Sequence, residues 1–197
     1  MTTGQAGSIM MAVDVGSSRV KIGFFSSGDP CDKPLEKRQL SIVSRKYPEP
    51  EETLSVAHRN RSAEEWSREA AEWIEARAAG APCECVFAAV DAGVAERLQL
   101  TLADRSGMAC RQLSVNDVAL DVRVRQPERV GVDRLMNAVA ANSIRPIGRP
   151  AIVVDLGTAI TVDLISQEGA FEGGAIVPGP AMAISALHQQ TVSLPEL

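Results

Sequence analysis

Short apolar runs separated by polar turns recur along the chain, and they predict the strands of a sheet. The runs at 9–15 and 20–25 flank a Gly-Ser-Ser turn, a pattern typical of a β-hairpin. Other apolar runs predict strands at 40–43, 85–90, 112–115, 120–124, 151–156, 161–165 and 170–177. The runs at 85–90 and 151–156 are almost continuously apolar, so we expect both strands to be buried.

Helical periodicity appears between these runs. Ser62 and Glu65 have the spacing of a capping box, which predicts a helix that begins at Ser62 and ends at Gly80. Similar patterns predict helices at 92–104, 133–143 and 181–190. The stretches 26–37 and 44–61, rich in proline, serine and charges, are expected to be irregular. Strands that alternate with helices indicate an α/β fold, and the hairpins predict mixed sheets.

Composition narrows the function classes. The chain has 197 residues, of which 45% are hydrophobic and 23% charged, which is ordinary for a globular protein. The net charge of -5 argues against a general nucleic-acid binder, although arginines cluster at Arg123, Arg125, Arg129 and Arg134. No apolar run reaches the roughly 18 residues of a membrane helix, and the N-terminus does not resemble a secretory signal. We therefore expect a cytoplasmic protein with no membrane partner.

Cysteine and histidine give little sign of metal or hydrolytic chemistry. The cysteines Cys31, Cys83, Cys85 and Cys110 are expected to be reduced thiols, because a lone C-x-C lacks the partners of a zinc site. The histidines His58 and His188 are too few for a histidine-rich metal site. They also lack the G-x-S-x-G segment of a common hydrolase class.

One phrase occurs twice and is the most informative feature. Residues 9–17 and 151–158 each form an apolar run that ends in Asp-aliphatic-Gly-hydroxyl, and a second apolar run follows each. Glycine lets the backbone approach a ligand and adopts φ values that other residues avoid. The turn N–H groups can hold phosphate oxygens, and Asp14 or Asp155 can hold a cation beside them. Two such turns facing each other would clamp a triphosphate. The alternative is that both are merely tight hairpin turns.

The repeat also predicts the domain organisation. Residues 1–150 form a first half, and residues 151–197 are the start of a second half that we expect to be incomplete. The strands at 9–15 and 151–156 should superpose about a pseudo-twofold axis. Their aspartates, Asp14 and Asp155, should approach to within about 10 Å across a cleft, close enough for an ion and a phosphate to bridge them.

The sequence resembles the type III pantothenate kinases of the acetate and sugar kinase/Hsc70/actin superfamily. Residues 14–21 are similar to the first phosphate motif, residues 131–134 to the G-x-D-R motif, and residues 155–159 to the second phosphate motif. Residues 173–179 and 191–195 resemble the segments that follow. The resemblance implies an α/β fold of duplicated ribonuclease H-like, or actin-like ATPase, halves with mixed sheets.

The resemblance implies ATP-dependent phosphorylation of pantothenate to 4'-phosphopantothenate, the first step of coenzyme A biosynthesis. Asp133 would be the catalytic base, because phosphoryl transfer needs one group to accept the hydroxyl proton. By the same resemblance, pantothenate would contact Gly131, Val132, Asp133, Arg134 and Thr191. ATP and its phosphates would contact Asp14, Val15, Gly16, Ser17, Ser18, Arg19, Val20, Lys21 and Thr158.

Cofactors and assembly are also implied by the resemblance. Mg²⁺ would accompany ATP with Asp14 as its ligand, and Asp155 would bind a monovalent cation, K⁺ or NH₄⁺. Such kinases are homodimers, and the helix at 133–143 carries more apolar residues than one buried face needs. We therefore expect a homodimer that binds ATP and pantothenate.

Two departures leave an alternative open. Ser17 stands where the family usually has asparagine, and Val124 where it usually has a tyrosine that lines the pantothenate pocket. These changes favour a non-catalytic or regulatory homologue of the same fold, of the Bvg accessory factor type. The intact aspartates Asp14, Asp133 and Asp155 argue against that alternative. Another sugar or acid kinase of the superfamily is disfavoured by the G-x-D-R context.

Overall fold

The computed structural model describes residues 9–26, 49–81 and 83–191, which pack into two compact units. Among these residues, the first unit comprises 9–26, 49–81, 83–117 and 131–133, and the second comprises 118–130 and 134–191. The boundary predicted at residue 150 was derived from the repeated sequence phrase, whereas the two units are defined by packing. The boundary therefore stays a prediction.

The first unit contains a mixed five-stranded sheet in the order β3-β2-β1-β4-β5. Its strands are β1 (Ile9–Val15), β2 (Arg19–Ser26), β3 (Glu52–Ala57), β4 (Cys83–Ala89) and β5 (Cys110–Gln112). The β1–β2 and β2–β3 pairs are antiparallel, whereas β4 runs parallel to β1 and to β5. The predicted hairpin is thereby confirmed, and so is the mixed sheet.

Two capped helices accompany this sheet, α1 (Ala63–Ala78) and α2 (Ala92–Ser106). The Ser62 hydroxyl accepts a hydrogen bond from the Glu65 amide at 3.2 Å, as the capping pattern predicted. Asp91 caps α2 in the same way through the Val94 amide at 3.1 Å. The two helices pack against each other, α1 against β3 and α2 against β4.

The core of the first unit follows the period of two expected for a strand. Met11, Val13 and Val15 of β1 are buried on one side of the sheet, with relative exposures of 0%, 2% and 0%. They belong to a cluster with Trp66 of α1 and Phe87 of β4. Burial of these large side chains provides the main stabilisation of this unit.

The second unit is a three-stranded antiparallel sheet with two helices. Its strands, in the order β6-β7-β8, are β6 (Ala151–Leu156), β7 (Ala159–Ile165) and β8 (Phe171–Pro178). The helices are α3 (Val132–Ile144), whose first two residues count with the first unit, and α4 (Pro180–Gln190). The buried side chains include Leu135, Ala138, Ile165 and Phe171.

Two segments of the first unit differ from their predicted structures. The stretch 44–61 was expected to be irregular, yet β3 occupies Glu52–Ala57 within it. β3 lies at the edge of the described sheet and has one buried residue, Val56. Its sequence therefore carries few of the apolar residues that would predict a strand. The strand predicted at 112–115 lies earlier, at Cys110–Gln112, and a 3₁₀ turn follows at Val115–Asp117. The side chain of Asp117 accepts hydrogen bonds from Ser114, which stabilise this turn.

The segment 120–124 forms an isolated bridge between Val122 and Phe171 rather than a strand. The strand β6 was expected to be buried, but Ile152, Val154 and Leu156 are 69%, 53% and 72% exposed. The run is continuously apolar, but it lies in an antiparallel sheet whose alternate residues face opposite sides. The predicted strand at 40–43 lies outside the described residues.

Within the described ranges, no helix is both long and apolar enough to cross a membrane.

Candidate active site

The first Asp-x-Gly turn joins β1 to β2 and is held by hydrogen bonds from a third segment. The Gly16 amide donates to the Arg19 carbonyl at 3.0 Å, which closes the turn. The amide of His58 donates to the Ser18 carbonyl at 3.1 Å, and the His58 Nε2 lies 2.9 Å from the Gly16 carbonyl oxygen. His58 therefore supports this turn, a role for which the sequence carries no motif.

The side chains of this turn differ in what they can offer a ligand. Val15 and Val20 are completely buried, so only their backbone could meet ATP. The Asp14 carboxylate is 44% exposed and lies 3.4 Å from the Lys21 ammonium on the neighbouring strand. Arg19 donates from its Nε to the Ser55 hydroxyl at 2.9 Å. The polar groups of the motif are thus at the surface, whereas its valines belong to the core.

The second Asp-x-Gly turn joins β6 to β7 and has a related geometry. The Gly157 amide donates to the Ala159 carbonyl at 3.0 Å. The last paired residues are Leu156 and Ile160, so this turn is one residue shorter than the turn between Val15 and Val20. The exposed carboxylate of Asp155 accepts a hydrogen bond at its Oδ2 from the Asn137 amide at 3.2 Å.

The glycines of the two turns do not adopt positive φ. The expectation that they take φ values avoided by other residues is therefore wrong. A Cβ would lie 3.4 Å from the Arg19 carbonyl oxygen at Gly16, and 3.5 Å from the Ala159 carbonyl oxygen at Gly157. Both distances are ordinary contacts. The fold itself would therefore accept alanine at either position.

Gly179 differs, because it packs directly on the second turn. A Cβ there would lie 2.2 Å from the Gly157 carbonyl oxygen and 2.5 Å from that of Thr158. The Gly179 amide donates to the Thr158 carbonyl at 3.0 Å, and the residue is the N-cap of α4. Glycine is thus required where the start of α4 meets this turn.

The G-x-D-R segment forms the start of α3. Val132 is 7% exposed, whereas Gly131 and Asp133 are partly exposed. A Cβ at Gly131 would lie 2.3 Å from the Asp133 Oδ1, so the glycine makes room for a carboxylate folded back beside it. This gives the glycine of the motif a physical reason. It also places Asp133 in the first helical turn, where the macrodipole favours a negative charge.

Arg134 takes part in a buried ion pair. Its Nε donates to both carboxylate oxygens of Asp163, at 3.0 and 3.2 Å, and its Nη2 also donates to Oδ1. The two side chains are 13% and 1% exposed. The guanidinium carbon lies 5.6 Å from the centre of the Phe171 ring. The sequence analysis did not find Asp163, which is a polar residue at an inward position of β7.

The other predicted residues of the second unit lie at its surface or beside a glycine. Thr158 is partly exposed. Thr191 is exposed after α4 and donates from its hydroxyl to the Leu187 carbonyl at 2.7 Å. Val124 lies beside Gly173, where a Cβ would come within 3.2 Å of the Val124 Cγ1. The rest of the motif at 191–195 lies outside the described residues.

Cys85, Cys110 and Arg123 have structural partners. Cys85 and Cys110 are neighbours in the parallel β4–β5 register. A hydrogen bond between the two thiols, together with burial, raises the pKa of Cys85, and the same bond lowers the pKa of Cys110. Arg123 forms ion pairs with Asp121 at 2.8 Å and Glu172 at 3.2 Å. Within the described residues, no group of three or more acidic, histidine or cysteine side chains has the arrangement of a metal site.

Comparison with known proteins decides the family. The family model described as type III pantothenate kinase matches residues 10–197. The chain belongs to the type III pantothenate kinase family.

Two relatives match along most of the chain. The type III pantothenate kinase of Rhodopirellula baltica is 37% identical over 196 residues, covering 96% of this chain and 68% of the relative. That of Thermomicrobium roseum is 33% identical over 196 residues, covering 94% of this chain and 65% of the relative. The chain thus spans about two thirds of the length of either relative.

A solved structure supports the fold alone. An exopolyphosphatase-like protein matches with a TM-score of 0.50 and 12% identity, covering 95% of this chain and 55% of that chain. At this identity the likeness concerns the arrangement of helices and strands.

Proposed function

We propose that this member of the family phosphorylates pantothenate, the first step of coenzyme A synthesis, with Asp133 as the general base for transfer of the γ-phosphoryl group of ATP to the terminal hydroxyl of pantothenate. As the hydroxyl oxygen bonds to phosphorus, its proton moves to the Asp133 carboxylate. The bond between the γ-phosphorus and the bridging oxygen breaks, and ADP leaves with that electron pair. Such a reaction depends mainly on positioning and charge neutralisation, with one group to accept the proton.

The observation that carries this proposal is the geometry of the G-x-D-R segment. Gly131 leaves the space that the Asp133 carboxylate occupies, and that carboxylate is partly exposed in the first turn of α3. An ionised carboxylate is favoured there by the helix macrodipole and can accept a proton from a bound hydroxyl. Gly131, Val132, Arg134 and Thr191 would contact pantothenate around this base.

The two Asp-x-Gly turns are proposed to serve the nucleotide and its cations. Residues 14–21 and Thr158 would contact the ATP phosphates. The pair between Asp14 and Lys21 is largely exposed and contributes little to stability, so Lys21 can turn to a phosphate at small cost. Asp14 would then hold Mg²⁺. A bound divalent ion would neutralise phosphate charge.

Asp155 has the donor set that suits a second cation. Its carboxylate is exposed, and its accepted bond from Asn137 uses Oδ2, which leaves lone pairs on both oxygens. Hard cations prefer such oxygen ligands. We assign the monovalent cation, K⁺ or NH₄⁺, to this carboxylate.

Three further features are proposed for this chain: duplicated halves, a homodimer and a location in the cytoplasm. The paired hairpins with their Asp-x-Gly turns support duplicated actin-like halves, divided near residue 150. On α3, Met136 and Ile144 are 38% and 84% exposed and lie on one face with the exposed Ala140. An exposed apolar stripe of this spacing is typical of an interface, and we assign it to a homodimer. The cytoplasm is the proposed location.

The experiment is an assay of pantothenate-dependent ADP release, with Mg²⁺ and either KCl or NaCl at equal ionic strength. We expect turnover that requires pantothenate and is faster with K⁺. The variant Asp155→Asn should keep measurable turnover, but its turnover should be the same in KCl as in NaCl. ATP and pantothenate binding without turnover would instead support the regulatory homologue, and ADP release independent of pantothenate would contradict the proposal.

A further inference from the structure

The side chain of Arg134 is mostly buried, and its guanidinium is held by hydrogen bonds to another side chain of the protein. The Asp163 carboxylate receives hydrogen bonds from its Nε, at 3.0 and 3.2 Å, and from its Nη2. Two parallel bonds of this kind fix the orientation of the guanidinium as well as its position. Any polar contact between Arg134 and a substrate would therefore use Nη1 or the second N–H of Nη2.

The surroundings of this pair are built to accommodate it. Asp163 faces Gly174 in the β7–β8 register, and a Cβ at Gly174 would lie 2.0 Å from the Val162 carbonyl oxygen and 2.5 Å from the Asp163 Oδ1. The ring of the completely buried Phe171 lies on the other side, 5.6 Å from the guanidinium carbon. The side chains of Arg134 and Asp163 are 13% and 1% exposed, so little water reaches either group.

A buried ion pair is weak evidence for stability, because the cost of removing two charges from water offsets their attraction. Well-packed apolar side chains of the same volume would stabilise the unit as well or better. The pair does, however, connect the first turn of α3 to the middle of β7. Asp133, the proposed base, is the residue directly before Arg134 in that turn.

We infer that Asp163 is a positioning residue for pantothenate, acting through its buried bidentate pair with Arg134 to fix the first turn of α3. The inference rests on the proposed function, because it takes residues 131–134 as the pantothenate contacts. Asp163 itself is 1% exposed and does not touch substrate. Its loss should loosen Gly131, Asp133 and Arg134 together and leave the nucleotide contacts of residues 14–21 unchanged.

The test is Asp163→Asn, which keeps the side-chain volume and removes the charge. We expect KM for pantothenate to rise about tenfold, as expected for loss of a charge-assisted bond, while KM for ATP stays within about twofold. The matched control is Asp121→Asn, which removes the exposed pair with Arg123 in the same unit. The control should leave both KM values unchanged.

The split between the two KM values separates positioning from a structural role. A merely structural role would reduce the folded fraction, which lowers kcat and leaves both KM values as they are. That result for Asp163→Asn would overturn the inference. If the wild-type chain lacks pantothenate-dependent turnover, the proposed function fails instead, and the two failures are therefore distinguishable.

A second variant covers the case in which Asp163→Asn does not fold. Asp163→Glu keeps the charge beside Arg134 but is longer by one methylene, so the bidentate geometry is lost while the guanidinium stays paired. Loss of this geometry predicts a rise in KM for pantothenate of roughly two- to fivefold, again without a change in KM for ATP. Unchanged KM for pantothenate in this folded variant would also contradict the inference.

Discussion

The two compact units of the chain both bury apolar side chains, but they differ in what lies beside them. In the first unit, alternate residues of β1, β2 and β4 and one face of each helix form a continuous apolar core. In the second unit, a charged pair, Arg134 with Asp163, lies beside the buried Phe171, whereas apolar residues of β6 such as Ile152 and Leu156 are exposed. Apolar packing thus stabilises both units, and the second adds a buried charged pair to its packed side chains Leu135, Ile165 and Phe171.

The two units also differ in how many large hydrophobic side chains they expose. Most of the large hydrophobic side chains that are exposed belong to the second unit, including Ile144, Ile176 and Leu187. Contiguous exposed apolar surface usually marks a place where another surface binds. The first unit thus combines a continuous apolar core with the first Asp-x-Gly turn and Asp133, whereas the second exposes more apolar side chains and buries the Arg134–Asp163 pair.

The largest expected effect on stability comes from truncating the core of the first unit. Phe87→Ala removes a completely buried ring and should reduce the free energy of unfolding by about 3–5 kcal/mol. The matched variant Ile152→Ala, at a residue 69% exposed, should cost less than about 1 kcal/mol. Urea unfolding measures both. A cost for Ile152→Ala close to that of Phe87→Ala would show that the β6 face is covered in solution.

The next effect concerns the glycine of the first turn. Gly16→Ala should leave the melting temperature within about 3 °C, because its Cβ would lie at 3.4 Å from the nearest backbone oxygen. It should nevertheless raise KM for ATP about tenfold or more, since the methyl group would occupy the space that a phosphate approaches.

The control for that variant is Gly179→Ala, whose Cβ would lie 2.2 Å from a carbonyl oxygen of the second turn. It should lower the melting temperature itself. An unchanged KM for ATP in a stable Gly16→Ala variant would mean that this turn is only a tight hairpin, the alternative that the sequence left open.

The smallest effect is expected at His58. His58→Phe keeps an aromatic ring beside Trp66, which lies 5.8 Å away, and removes the hydrogen bond to the Gly16 carbonyl. Loss of one such bond should raise KM for ATP roughly two- to fivefold. KM for pantothenate should not change. Steady-state kinetics with each substrate varied in turn would show this, and equal changes in both KM values would assign His58 a general structural role.

The sequence predicts much of the fold because most of its strands and helices carry local signals. The Gly-Ser-Ser turn between two apolar runs is sufficient to predict the β1–β2 hairpin, and Ser62 with Glu65 is sufficient for the start of α1. β3 was missed because it is a short strand with one buried residue, Val56, in a proline-rich and charged region. The exposure of β6 could not be predicted, because a run of apolar residues does not show which neighbours cover it.

The candidate site is predictable only where a motif carries it. Asp14, Asp133 and Asp155 lie in motifs, so their turns and helix start could be identified in advance. His58 and Asp163 act through contacts with residues distant in the chain, 42 and 29 positions away respectively. No spacing pattern in the sequence predicts that His58 contacts Gly16 or that Asp163 contacts Arg134. Gly131 and Gly174 lie in recognised motif segments. Only the folded structure shows that a Cβ at either position would collide with a carboxylate oxygen.

The central claim is that Asp133 is the general base, and Asp133→Asn tests it most directly. Asparagine is nearly isosteric with aspartate, and Asp133 is partly exposed in the first turn of α3, so the variant should fold and bind ATP as the wild type does. Its turnover of pantothenate should fall about 10²–10⁴-fold, the usual effect of losing a general base. The exposed Asp104→Asn on α2 serves as the control and should keep full activity. Wild-type turnover by a folded Asp133→Asn variant would contradict the mechanism and the assignment of the active site.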